Sequence, residues 1–228
     1  MNPLTYRTSW AVRRLGVALV GDRKDVLAMH ALAPLSTRYL PWSTTAMRPS
    51  AVSSLLADVV INRRQRVVEL GGGISTFYLA RLLGEHGGRM WTVEHDPHWA
   101  DLLAQHLKAE GLADVATVVH APLSPTSHPY AGGALWYAEE PMAPIVAAGG
   151  IDLLVVDGPP AHAAGLTHAR YPALPHFARA LAPGALVVLD DILRRGEQEI
   201  LRRWERDSGI RFERRWIHGT IAVGRAGT

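Results

Sequence analysis

A chain of 228 residues, 48% hydrophobic and 20% charged with a net charge of +3, has the size and balance of one globular domain with a substantial core. It contains no cysteine, which excludes disulfides, thiol catalysis and cysteine-ligated metal. No run approaches the ~18 apolar residues of a membrane span, and the one basic cluster, near 194–215, reads as a solvated helix face that does not require nucleic acid.

The first 62 residues read as a helical and irregular extension, broken by Pro34, Pro41 and Pro49. Arg7, Arg13 and Arg14 accompany a short apolar piece, "LGVALVG", with no small-residue cleavage site after it, so it reads as part of the fold and not as an export signal. A cytoplasmic protein is expected. From residue 63 to 228 a strand–helix rhythm takes over. "RVVEL" is a strand, and "STFYLARLL" is a helix for which Ser75 is the expected N-cap. "MWTVEH" is a second strand; "PHWADLLAQHLKAEG" is a helix with Pro97 at its start and Gly111 at its stop. "VATVVH" is a third strand, followed by a loop rich in Pro, Gly and Ser that holds "ALWYAEEP". "IDLLVVDG" and "ALVVLDD" are continuously apolar, as strands buried on both faces are. Helices are expected near 172–181 and 194–207. "IRFERRWI" and "TIAVGR" then flank His218 and Gly219 as a hairpin with a two-residue turn. The alternation predicts an α/β domain with a mostly parallel sheet, helices on both faces and one antiparallel addition.

In such sheets ligands sit beyond the carboxyl ends of the strands. Those ends are 69–73, 94–96, 120–123, 157–160 and 190–191, and four of the five carry acids. Gly71 and Gly73 allow a tight turn and close backbone approach ahead of a helix N-terminus. Glu94 lies 21 residues beyond Gly73, at the end of the second strand, where a carboxylate can accept hydrogen bonds from ribose hydroxyls. A nicotinamide dinucleotide would use the glycines and Glu94. Against it, Thr76 stands where a third glycine belongs, and Glu69 brings negative charge to the loop. A ligand with a ribose and a cationic part, such as S-adenosyl-L-methionine (SAM), suits these acids better.

"ELGGGIST", "VEHDP", "VVHAPL", "LLVVDGPP" and "GALVVLDDI" resemble, in order and spacing, the motifs of class I SAM-dependent methyltransferases over residues 66–225. The likeness is to the "ELGSGxST … DGPP … DD" group, related to the caffeoyl-CoA and macrocin O-methyltransferase types. It implies a Rossmann-like SAM-binding domain over 63–228 with sheet order 3-2-1-4-5-7-6, and a lid in residues 1–62. It also implies that Glu69 and the backbone of Gly71, Gly72 and Gly73 hold the methionine end. Ser75 caps the helix beside it, Glu94 binds the ribose, His95 lies beside the adenine, and Ala121 and Pro122 pack near the adenine. Asp157 is expected close to the sulfonium or amino group. Gly72 replaces a common serine, and little effect is expected, because the backbone makes the contact.

Methyl transfer to a hydroxyl needs alignment and a base, a metal, or both. Asp157, Asp190 and Asp191 end neighbouring strands, so they are candidate ligands for Mg²⁺ or another divalent cation. The competing reading is a metal-free enzyme in which His162, five residues beyond Asp157, is the base, with Asp157 beside it. His168, Arg170 and Tyr171 lie in the same loop; Arg170 and Tyr171 bind an acidic substrate group or anchor the loop. Trp136 and Tyr137 form an aromatic wall or pack the loop. Trp42, Ser43 and Thr44 are candidate lid contacts, and an apolar first helix with Trp10, Leu15 and Leu19 is a candidate homodimer surface. The expected acceptor is a small molecule or small peptide, methylated on oxygen. N-methylation, methylation of a peptide carboxylate, nicotinamide-dependent oxidoreduction and a non-catalytic SAM-binding module remain alternatives.

Overall fold

The computed structural model describes residues 12, 15, 17–40, 42–128, 130, 135–162 and 165–227. A π-helical turn, Val17–Gly21, leads into α1 (Asp22–Leu32), and α2 follows (Pro49–Asn62). The alternating part then runs β1 (Arg66–Leu70), α3 (Ile74–His86), β2 (Arg89–Glu94), α4 (Pro97–Ala109) and β3 (Ala116–His120). Next come β4 (Leu123–Pro125), β5 (Leu135–Tyr137), α5 (Ala143–Ala148) and β6 (Ile151–Val156). The chain closes with α6 (Ala173–Phe177), β7 (Leu181–Leu189), α7 (Arg195–Ser208), β8 (Phe212–Arg215) and β9 (Ile221–Arg225).

Seven strands form one sheet in the order β3-β2-β1-β6-β7-β9-β8. Without the small pair β4–β5, this is the expected 3-2-1-4-5-7-6. The first five strands pair in parallel, and β9 enters antiparallel between β7 and β8. Strand side chains alternate between two cores. Val68, Leu70, Leu154, Val156, Val187 and Leu189 meet Trp136, Phe177 and Trp204 on one face. Val67, Leu153, Val155 and Val188 meet α2, α3 and α4 on the other, through Leu55, Leu79 and Leu103. Cover on both sides is why these strands read as unbroken apolar runs.

The N-terminal extension shares the second core through Leu32, Met47 and Leu55. Polar ties hold it in place. Asp25 accepts from the Ser50 N–H and hydroxyl, and Arg48 bridges Asp22 and Asp25. Arg81 grips Glu110 with two nitrogens (2.7 and 2.8 Å) and donates to the Leu35 carbonyl. Leu15 and Leu19 are exposed, while Trp10 lies outside the described residues.

Three local expectations change. α3 begins at Ile74, and the Gly73 N–H donates to Thr76 Oγ1 (3.0 Å), so Ser75 sits inside the first turn and is not the N-cap. The helix expected over 172–181 shrinks to α6 and a 3₁₀ turn, Ala178–Ala180, because β7 already starts at Leu181. The terminal hairpin turns over residues 216–220, not over two residues: Arg215 pairs with Ile221, and Thr220 (φ 58°) joins Gly219 (φ 87°) in left-handed backbone. Gly219 also lies against Ala51, where a Cβ would clash with backbone, so packing on α2 sets this turn. No helix among the described residues is long and apolar enough to cross a membrane.

Candidate active site

β1 and β6 are hydrogen-bonded neighbours whose chains depart to opposite sides of the sheet. A crevice opens beyond their carboxyl ends, the place where ligands bind in such folds. It is a cavity of about 530 Å³. Its walls come from the three loop glycines, from Glu94 and His95, from Asp157, Gly158, Pro160 and His162, from Arg170, Asp191 and Arg194, and from Leu40, Ser43 and Met47 of the extension.

The glycines do three different jobs. Gly71 (φ 91°) touches the backbone of 157–158, where a Cβ would lie 2.9 Å from the Gly158 nitrogen. At Gly72 a Cβ would lie 2.5 Å from Leu103 Cδ1 and 3.0 Å from Thr92 Oγ1, so a serine there requires the end of the Leu103 side chain to shift. At Gly73 a Cβ would meet no protein atom within 4 Å. Packing does not demand that glycine; its bare backbone faces open cavity.

Glu69 does not face the cavity. It is fully buried and accepts from the hydroxyls of Ser75 (2.6 Å), Thr76 and Thr92 (2.9 Å), the last its register partner on β2. Burial pushes its carboxyl up, and the three hydroxyl bonds oppose the rise. Its role is to brace the glycine loop from beneath. The carboxyl expected to repel a pyrophosphate thus lies beneath the loop, separated from the cavity by the Ser75 hydroxyl. Ser75 lines the cavity while its hydroxyl serves that brace.

Glu94 does face the cavity. Oε2 accepts the Gly72 N–H (3.2 Å), and Oε1 accepts the N–H groups of His95 (2.7 Å) and Asp96 (2.9 Å). Three backbone donors hold the carboxylate still and leave lone-pair capacity for a ligand. His95 lines the cavity beside it. Ala121 and Pro122 do not: Ala121 is fully buried in the core, and Pro122 is exposed but does not line the cavity. The cavity on that side is lined instead by Phe77, Trp99, Leu102, Leu103 and His106. Trp99 Nε1 donates to the Gly72 carbonyl (2.7 Å), which locks the indole over the loop. The sequence held a signal for this wall, since 99, 102, 103 and 106 share one helical face.

At the other end, one ligand oxygen from each of Asp157, Asp190 and Asp191 can be chosen so that all lie within 4.8 Å of one another. Neither Asp190 nor Asp191 caps α7, which begins at Arg195. Asp190 Oδ1 accepts the Asp191 N–H (2.7 Å), and Asp191 stands in left-handed backbone, φ 62°. Burial, then the neighbouring acids, push the Asp157 carboxyl well up; the same causes push Asp190 up to about 7. Arg170, 3% exposed, lies among them. Its Nη2 is 3.3 Å from Asp157 Oδ1 and its Nη1 3.1 Å from Asp191 Oδ2, and Arg194 Nη1 is 2.8 Å from Asp191.

His162 lines the cavity and is exposed. His168 does not line it; its ring nitrogen pairs with Glu199 (2.8 Å) on α7. Tyr171 also turns away, bonding Asp207 (3.2 Å). The aromatic pair divides: Trp136 is buried in the core, while Tyr137 lines the cavity. The Tyr137 hydroxyl is buried with no hydrogen-bond partner among the described residues, which is costly unless a ligand supplies one. Of the lid candidates, Ser43 reaches the cavity, Thr44 does not, and Trp42 stacks on Tyr78 (6.0 Å).

A profile of the family described as "Methyltransferase domain" matches residues 68–192, from the end of β1 through the acid cluster. The chain belongs to this methyltransferase-domain family. A catechol O-methyltransferase of Mycobacterium tuberculosis is 36% identical over 121 residues, 52% of this chain and 53% of that protein, so the methyltransferase chain matches about half the length of this curated relative. The fold is shared with a methyltransferase of Podospora anserina solved bound to S-adenosylhomocysteine (SAH), at TM-score 0.61 and 13% identity over 88% of each chain. It is shared too with the O-methyltransferase TomG of Streptomyces achromogenes, involved in tomaymycin synthesis and solved with SAM, at TM-score 0.57 and 15% identity over 87% of this chain and 96% of that one.

Proposed function

We propose that the chain is a SAM-dependent methyltransferase of the class I, "ELGSGxST … DGPP … DD" type, acting on an oxygen of a small molecule in the cytoplasm. The observation that carries this reading is the glycine–Glu94 end of the cavity. Gly73 leaves backbone bare toward open space, and Glu94 is held by three backbone donors with capacity to spare. In this reading Glu94 accepts the ribose hydroxyls, and His95 and the Trp99 wall border the adenine. The backbone of Gly71, Gly72 and Gly73 takes the methionine end above the Glu69 and Ser75 brace. The Tyr137 hydroxyl finds its missing partner on the ligand. When bound, SAM supplies the methyl group, leaving as the neutral thioether as the acceptor oxygen takes the methyl carbon. Asp157 lines the crevice and is placed to orient the cationic end of SAM. His162, at the mouth, is placed to take the acceptor's proton.

The three aspartates fit a hard divalent cation by ligand type. They do not fit one with Arg170 where it stands, because the guanidinium already engages Asp157 and Asp191. No step is therefore routed through a metal. Leu40, Ser43 and Met47 give the extension, 1–62, the place of a lid, and its exposed Leu15, Leu19 and Leu27 the place of a homodimer surface.

Titration calorimetry with SAM, SAH and NAD tests the reading. Binding of SAM and SAH without NAD is expected, and Glu94→Ala should abolish it. Binding of NAD in place of SAH overturns the proposal.

A further inference from the structure

The acid cluster is neutralised from within the protein. All three nitrogens of the Arg170 guanidinium are engaged, and their partners come from two strand ends. Nε donates to the Pro159 carbonyl (3.2 Å), past the end of β6, and Nη2 faces Asp157 (3.3 Å) on the same segment. Nη1 faces Asp191 (3.1 Å) and the Asp190 carbonyl (3.5 Å), past the end of β7. The guanidinium thus staples the two strand ends that form the acceptor half of the crevice. It cannot leave cheaply. Its neighbours Ala169 and Tyr171 are buried, the Tyr171 N–H is bonded to the His168 carbonyl (2.9 Å), and the Trp204 indole donates to the Tyr171 carbonyl (2.9 Å). A guanidinium also stays charged at any ordinary pH.

A divalent cation held by the same aspartates would need their oxygens at about 2.0–2.6 Å, facing a fixed positive charge that already occupies them. We infer that Arg170 is the resident cation of this site: it fills the place that a divalent metal would take between Asp157 and Asp191, and the chain binds no metal there. The inference deepens the methyltransferase reading and rests on it only for the reaction served. Arg170 is a positioning residue. It acts through Asp157, whose carboxylate it holds at the crevice wall, and through Asp191, whose left-handed backbone it and Arg194 (2.8 Å) hold from the side chain.

The two arginines offset part of the acid charge, and burial favours the protonated form of Asp190 and Glu197, both pushed up to about 7. Asp157, Asp190, Asp191 and the buried Glu197 face Arg170 and Arg194, four acids against two fixed cations. Removing Arg170 leaves the three aspartates with Arg194 at their edge, which is 39% exposed in its side chain and free to swing to solvent. The cluster then has the donors a hard cation prefers and no internal competitor.

Electron paramagnetic resonance of free Mn²⁺ reads this without any acceptor substrate. Wild-type chain titrated with Mn²⁺, with and without SAH, is expected to leave the free-ion signal unchanged. Arg170→Ala is expected to remove one equivalent of Mn²⁺ from solution, and the double variant Arg170→Ala, Asp190→Asn to return it. Arg170→Met keeps the side-chain stem and replaces Arg170→Ala if the latter does not fold; the wild-type titration needs no variant. A stoichiometric Mn²⁺ site in the wild type that Asp190→Asn abolishes overturns the inference. So does a folded Arg170 variant with no site, since the aspartates are then not a latent metal site. SAH calorimetry on the same samples is a separate readout: wild type that binds neither SAH nor Mn²⁺ defeats the cofactor reading and leaves the Arg170 assignment standing.

Discussion

The crevice has two acid-bearing ends that solve the same electrostatic problem in different ways. At the end of β1 and β2, Glu69 is satisfied by three hydroxyls and Glu94 by three backbone N–H groups, with the His95 ring Nδ1 2.7 Å from Glu94 Oε1. At the end of β6 and β7, Asp157 and Asp191 are satisfied by guanidinium groups. Neutral donors orient a carboxylate without cancelling its charge, so the first end keeps an attraction for sugar hydroxyls. Charged partners offset part of the acid charge and hold Asp157 and Asp191 rigidly at the second end. In the proposed reading, a ligand is gripped at one end and a reacting group is positioned at the other.

Removing one half of a buried charge pair breaks this contrast most severely. Arg170→Ala leaves buried acids uncompensated and should cost roughly 3–5 kcal/mol, measured as a fall in the urea midpoint at unchanged slope. Arg170→Lys should recover only part, because a point charge cannot serve both strand ends.

The pH dependence of stability comes next. Burial pushes Glu197, 1% exposed, up to about 7 from an ordinary 4.5. Between those values the native chain holds the proton that the unfolded chain has released, so stability is fully present below pH 4.5 and is lost as pH rises through 7. Glu197→Gln should remove its share of that loss, worth about 3 kcal/mol, and make melting temperatures fall less steeply from pH 4 to 8, the remaining fall coming from Asp157 and Asp190.

At the other end, Glu69→Ala should strand three hydroxyls and cost about 2–3 kcal/mol, with SAH affinity falling because the loop loses its brace. Glu69 would be a direct ligand, not a brace, if affinity fell while stability held. Tyr137→Phe should stabilise the ligand-free chain by about 1 kcal/mol, since the buried hydroxyl has no partner among the described residues, yet weaken SAH in calorimetry by several-fold. Smallest is Gly72→Ser, which needs only the mobile end of Leu103 to shift and should change SAH affinity little more than the error of the titration.

Much of the sheet was legible because period and punctuation act locally. Apolar runs ending in acids marked β1, β2, β6 and β7, and Pro97 and Gly111 bracketed α4. Glu94 was legible because its position depends only on the strand it ends. Glu69 was misjudged because adjacency to a glycine loop does not say which way a strand side chain points; alternation sent it under the loop, toward Thr92. Ala121 and Pro122 were placed by resemblance, and the aromatic and aliphatic face of α4 lines the cavity instead. The hairpin turn was misread because packing on Ala51, remote in sequence, outranked the His-Gly signal.

By itself, the order of residues determined the elements, their two-sided burial and the acids at their ends, since hydrophobic period and turn chemistry depend on neighbours along the chain. Only the tertiary structure decided what each acid faces. Arg170 lies 13 residues from Asp157 and 21 from Asp191, and no local rule joins them. They meet because β6 and β7 pair side by side, and a charge buried at that seam needs its partner from wherever the chain can bring one.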